Sequence, residues 1–132
     1  MPTLEELENE VWPAPEIDSY LVATCHQLRK KPIEDFTTED LRIMIGQNIG
    51  LHFLMPKALS VLEDNPLAEG DFFPGDLLRN ATSVGSSFFD RSPEILARVV
   101  SVTKQAVDLL QSSGNDADLL KAFERFTGKY AT

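Results

Sequence analysis

One cysteine and two histidines are the whole supply of thiol and imidazole groups in a chain of 132 residues. A lone Cys25 excludes an intramolecular disulfide and suits a reducing compartment. Structural zinc needs about four Cys or His ligands at defined spacing, and no such cluster exists here. Cys25 and His26 are sequence neighbours, so on a helix their side chains diverge by about 100° and cannot pair as nucleophile and base. Cys25 with His52 is the remaining combination, but a cysteine on an apolar helix face reads first as a small core residue. A phosphate-binding glycine loop and a Gly-x-Ser-x-Gly elbow are also missing. No run reaches the roughly 20 apolar residues of a membrane span. The opening MPTLEELENEVW has neither the basic n-region nor the apolar h-region of a secretory signal, which makes the cytoplasm the expected address. No segment alternates with a period of two, as a half-buried strand would, and none repeats at solenoid spacing. These absences predict a protein without cofactor, metal or catalytic group.

What the chain does have is 42% apolar residues and a formal charge of −9. That length and composition fit one globular domain spanning residues 1–132. The charge is uneven. Residues 1–76 hold 15 acids against 5 Lys and Arg, whereas residues 77–132 hold 6 acids against 7. An acidic surface of this kind repels nucleic acid backbones and anionic membranes and favours basic partners.

The longest apolar stretch, residues 37–64, predicts a central helix. Thr37 can cap its start, with Asp40 three residues on in the manner of a capping box. At 100° per residue Leu41, Met44, Ile45, Ile49, Phe53 and Met55 share one broad face, and Ile43, Leu51 and Leu54 fall outside it. A helix apolar on more than one side is buried. Gly46 and Gly50 lie on a third face, and each costs about 1 kcal/mol relative to Ala in a helix interior, which predicts a close approach by another backbone. Pro56 should kink the helix or restart it.

The remaining elements are also helical. Residues 3–11 predict a short helix capped by Thr3 with Glu6, striped by Leu4, Leu7 and Val11, and ended by Trp12-Pro13-Ala14-Pro15. A second starts from Asp18 as cap, turns Leu21, Cys25 and Leu28 inward, ends on Arg29-Lys30-Lys31 and stops at Pro32. Residues 65–76 are irregular and lack Lys and Arg. Leu77-Leu78 then opens a short helix to about Val84. Ser92 as cap with Pro93 at the first position starts a long helix to about Ser112, with Ile95, Val99, Val102, Ala106 and Leu109 inward and Gly114 closing it. Asn115 or Asp116 caps a last helix with Leu119, Leu120, Phe123 and Phe126 inward and Gly128 at its end. The expected fold is all-α, a single compact bundle of about six or seven helices around a buried central helix, residues 38–64.

Two polar features stand out against this background. Asn48 and His52 are i, i+4 neighbours on the apolar central helix and read as a buried hydrogen-bonded pair, or else as a polar anchor in a groove. The irregular segment carries the second, since Glu63, Asp64, Glu69, Asp71 and Asp76 flank the aromatic pair Phe72 and Phe73. Its DFFPGD turn lacks the alternating acids and terminal Glu of a calcium loop. General acid–base chemistry needs a carboxylate with a raised pKa, which burial supplies, whereas these acids are expected in turns and on solvent faces.

The run Gln47-Asn48-Ile49-Gly50-Leu51, then Leu54, Pro56, Ala58-Leu59, Leu62-Glu63 and Asn65-Pro66-Leu67, leads into Gly70-Asp71-Phe72-Phe73-Pro74-Gly75-Asp76-Leu77-Leu78. This pattern resembles the immunity proteins of contact-dependent growth inhibition systems. Leu4, Leu7, Glu8, the surroundings of Trp12 and the Pro32 turn fit as well, so the resemblance covers about residues 4–80, with Gly70–Leu78 as its most specific part. It implies a small bacterial cytoplasmic protein that binds and neutralises the toxic C-terminal domain of a matching effector delivered by neighbouring cells. The expected partner is a basic cognate toxin domain, a nuclease, bound by a monomer through Glu63, Asp64, Glu69, Asp71, Phe72, Phe73 and Asp76. An acidic adaptor for a basic endogenous protein and a small helical enzyme are the competing classes.

Overall fold

Caps and left-handed residues cut the chain into eight α-helices among the described residues of the computed structural model, which are 2–13, 19–114 and 116–130. They are α1 (Leu4–Glu8), α2 (Tyr20–Arg29), α3 (Thr38–Gly46), α4 (Leu51–Asp64), α5 (Asp76–Thr82), α6 (Ser86–Arg91), α7 (Pro93–Ser113) and α8 (Ala117–Tyr130). A 3₁₀ turn at Ile33–Asp35 precedes α3. The all-α expectation holds.

The predicted central helix is two helices. Thr37 and Asp40 do form a reciprocal capping box at the start of α3. The helix then ends where Asn48 takes φ 58°. Asn48 N–H donates to Ile45 O at 3.0 Å and Ile49 N–H to Met44 O at 2.9 Å, the paired bonds of a Schellman motif around a left-handed residue. Gly50, at φ 64°, then turns the chain into α4. The break therefore falls six to eight residues before Pro56, which α4 accommodates in its interior. Proline removes one helical bond, here the one to the carbonyl of exposed His52.

This break also dissolves the expected buried pair, because Asn48 and His52 no longer share a helix and both are exposed. His52 sets its ring edge-on to Phe53, centroids 5.2 Å apart. The two glycines have separate reasons. A Cβ on Gly46 would meet Asn80 Nδ2 of α5 at 2.7 Å, so here the expected close helix approach is made by a side chain. A Cβ on Gly50 would meet both methyls of Leu4 at 2.8 Å.

Other boundaries shift for similar reasons. Helix α1 stops at Glu8 because Asn9 adopts φ 52°, well before the prolines, and this leaves Leu7 and Val11 exposed. Asp18 lies outside the described residues, and Ser19 Oγ accepts from Val22 N–H at the head of α2. Leu21 is 43% exposed while Cys25 and Leu28 are buried as expected. On α7 the inward residue is Leu110 and Leu109 is exposed, because the buried line Val99, Val102, Thr103, Ala106, Leu110 continues at helical spacing. Asn115 lies outside the described residues, and Asp116 Oδ1 accepts from Leu119 N–H at 3.0 Å. Helix α8 continues through Gly128 to Tyr130, which closes an aromatic cluster with Phe89 and Phe126. Helix α6, over Ser86–Arg91, fills the gap between the helices expected to end near Val84 and to start at Ser92, and it delivers fully buried Phe89 to that cluster.

The hub of the bundle is shared. Helix α4 packs on α3, α5 and α7, and the seven-residue α5 packs on α3, α4, α7 and α8. Leu77, Leu78 and Ala81 of α5 are entirely buried. Helices α7 and α8 form the most extensive pair.

Gly50 and Gly114 offer a paired test of these breaks. Both have positive φ, but nothing lies within 4 Å of a Cβ built on Gly114. Gly114→Ala should therefore lose about 1 kcal/mol, the left-handed strain alone. Gly50→Ala adds the collision with Leu4 and should lose about 2–4 kcal/mol by urea unfolding. Equal losses would mean that α1 is not seated on the break.

A preorganised acidic turn as the candidate functional site

Residues 65–75 make no helix, and each step of the turn is held by a nameable bond. Asn65 Oδ1 accepts from Leu67 N–H at 3.2 Å, and its carbonyl accepts from Ala68 N–H at 3.0 Å. Gly75 N–H reaches back to Leu67 O at 3.1 Å. Glu69 and Pro74 face each other in an isolated antiparallel bridge. A turn this tight points several amides inward, and buried amides need acceptors.

Asp76 supplies them. Its carboxylate accepts from Gly70 N–H at 2.7 Å, Phe72 N–H at 3.1 Å and Phe73 N–H at 3.4 Å, and the residue is only 2% exposed. Arg42 Nε lies 3.8 Å from the same carboxylate. Arg42 itself makes a two-pronged pair with Glu39, at 2.6 and 2.5 Å, and Glu39 Oε1 also accepts from Asp71 N–H at 2.9 Å. Two residues of α3 and one of α5 thus converge on the turn at Gly70 and hold it. A Cβ on Gly70 would sit 2.5 Å from Glu39 Oε1, so the arrangement requires glycine there. Behind the turn, a Cβ on Gly75 would strike Leu119 of α8 at 2.9 Å.

The Arg42 hydrogen bonds, aided by the amide of Asp71, hold the Glu39 carboxyl below the usual carboxylate range against the opposing effect of burial. Burial pushes the Cys25 thiol up, away from the reactive thiolate. Cys25 sits in the core.

The seven residues expected to contact a partner divide into two kinds. Asp64, Glu69, Asp71 and Phe72 are exposed, Phe72 by 69% with the Arg42 guanidinium 4.1 Å over its ring. Glu63 is exposed but engaged by Arg98 through bonds of 3.0 and 2.8 Å, which hold its carboxyl low. Phe73 is half-buried against the core, and Asp76 is inside, where its carboxylate shapes the turn instead of meeting solvent. Sequence reading did not find Glu39 and Arg42. Their i, i+3 spacing marks an ion pair, but nothing local shows that the pair receives a turn some 30 residues away.

Among the described residues no group of three or more His, Cys, Asp or Glu could hold a metal ion, and no helix is long and apolar enough to cross a membrane. What remains is a small all-α protein presenting a rigid, acidic, aromatic-tipped turn. The family model of CDI immunity proteins matches residues 6–99, more than two thirds of the chain, and the chain belongs to that family. CDI denotes contact-dependent growth inhibition, and an immunity protein of this kind neutralises a CDI toxin. The match runs past the expected limit near residue 80 into the first turns of α7. No curated protein and no solved structure matches the chain.

Two substitutions test the turn. Asp76→Asn offers an NH₂ group to amides that need an acceptor and should cost about 2–4 kcal/mol, with faster hydrogen exchange at residues 70, 72 and 73. Asp71→Asn, on the exposed side, should stay within about 0.5 kcal/mol of the parent. The depressed Glu39 pKa predicts a pH signature of defined sign. Its stabilising contribution is complete above the ordinary carboxylate value of about 4.3 and is lost as pH falls through the lower folded value. The melting-temperature gap between the parent and Glu39→Gln should therefore be constant near neutrality and shrink in acid. A gap that widens in acid would contradict the assignment.

Proposed function

We propose that this immunity protein neutralises its toxin by stoichiometric occlusion, with Asp64, Glu69, Asp71 and Phe72 as the principal contact residues. Glu63 and Phe73 flank that surface, and Asp76 sets its shape from within. The single observation that carries the reading is the turn itself: the amides of residues 70–73 are engaged by Asp76 and Glu39, while Phe72 and three carboxylates are left facing solvent. A surface already ordered before binding loses less entropy on association.

The charge suggests the class of toxin. A nuclease must present a basic cleft to hold phosphates, and an acidic inhibitor meets that charge. Opposite charges accelerate encounter, and a buried aromatic anchor slows departure. Nuclease–immunity pairs of other systems are among the tightest complexes known. The protein acts as a monomer in the cytoplasm, needs no cofactor and contributes no chemistry of its own.

Titration against the purified toxin domain of the same locus tests this reading. The triple variant Asp64→Lys, Glu69→Lys, Asp71→Lys should bind about 100-fold more weakly, mainly through slower association, with the deficit shrinking at high salt. Unchanged affinity would remove the acidic turn from the interface. Failure of the parent protein to form a complex at micromolar concentration would overturn occlusion itself.

A further inference from the structure

Six large apolar side chains are exposed among the described residues: Leu7, Val11, Tyr20, Leu21, Phe72 and Leu109. Three of them converge. Tyr20, Leu21 and Phe72 line one groove of about 480 Å³ where the first turn of α2 and the face of α3 meet the acidic turn. Tyr20 is 85% exposed and Phe72 is 69% exposed, although they belong to elements 50 residues apart in sequence. Scattered single apolar residues are ordinary on protein surfaces, but convergence on one concavity marks an interaction site. Neither residue 20 nor residue 21 was part of the surface drawn from the acidic turn.

The groove is also formed in advance. Arg42 lies beneath the Phe72 ring, and the Phe72 amide is held by Asp76. Tyr20 is the first residue of α2, whose start is capped by Ser19. Aromatic side chains of this kind lose few rotamers on binding and dominate interface energetics.

The charges around the groove indicate its occupant. Glu39 and Asp40 line it but are already matched, Glu39 by Arg42 and Asp40 by Lys31 Nζ at 2.6 Å. The exposed Asp71 carboxylate lies in the field of Arg42 but makes no salt bridge among the described residues. A second copy of this chain would bring another net charge of −9 toward it. A basic partner would not be repelled.

We infer that this groove is the anchor site for the cognate toxin: it seats one bulky apolar side chain of the toxin domain, adjacent to a Lys or Arg that pairs with Asp71. The inference rests on the immunity reading above and adds to it a contact made through apolar burial, whose kinetic signature differs from that of the acidic surface. Anchor truncation releases the complex faster, whereas charge reversal slows its formation.

The deciding measurement is surface-based kinetics of the full-length protein with the purified toxin domain, at low and high salt. Tyr20→Ala lies outside the turn, so it leaves the Asp76 hydrogen bonds intact, and an unchanged melting temperature verifies this. It should weaken binding at least tenfold through a faster dissociation rate, at both salt concentrations. Phe72→Ala should do the same. Less than a tenfold loss for Tyr20→Ala overturns the anchor site, and if the charge-reversal triple variant still loses affinity, the immunity reading survives that failure. A parent protein that binds no toxin overturns both. Sedimentation supplies the remaining outcome: a parent dimer that Tyr20→Ala converts to monomer would place a second copy in the groove and overturn the toxin assignment.

Discussion

The carboxylate of Asp76 is the group on which the site depends. A tight turn generates inward-facing amides that cannot bond to one another, and one buried charge between helices answers three of them at once. Burying that charge is costly unless it is surrounded by donors, and Arg42 completes the surroundings. Because α5 carries Asp76 and also packs against four other helices, the conformation of the turn is tied to the core of the bundle. The same bonds that use the Phe72 amide leave its ring outside.

A second buried charge works in a similar way at the N-terminus. Arg29 is 1% exposed, pairs with Glu8, donates to Glu10 O at 2.7 Å and lies 4.3 Å over the Trp12 ring. The acids of the N-terminal half therefore fall into two populations. Glu5, Glu8, Glu39, Asp40, Glu63 and Asp76 face cations or amides of their own fold, while Glu6, Glu10, Glu34, Asp35, Asp64, Glu69 and Asp71 are exposed and in no salt bridge among the described residues. The charge available to a partner is smaller than the count along the chain indicates.

Helix starts and the core were readable from local chemistry. Thr3, Thr37 and Asp116 cap as their side chains dictate, and the buried faces of α3, α7 and α8 follow their apolar spacing. Helix ends were less readable. Asn9 and Asn48 terminate α1 and α3 through left-handed backbone, and asparagine is a known alternative to glycine there, so the signal existed in Asn48-Ile49-Gly50 but was outweighed by apolar continuity. Pro56 does not restart a helix, because its cost is limited to one bond and a clash within α4.

The helical class, the lone core cysteine and the place of the acidic aromatic turn were legible in the linear chain, because each follows from residues within a few positions of one another, and the family was legible in a pattern running along most of it. Packing of the helices sorted those acids into buried and exposed ones. It also decided that Glu39 and Arg42 hold a turn from another helix, and that Tyr20 and Leu21 share a groove with Phe72. These are contacts between segments about 30 to 50 residues apart, and no periodicity or cap records them, since they arise when α5 is buried among its neighbours and brings the turn against α3.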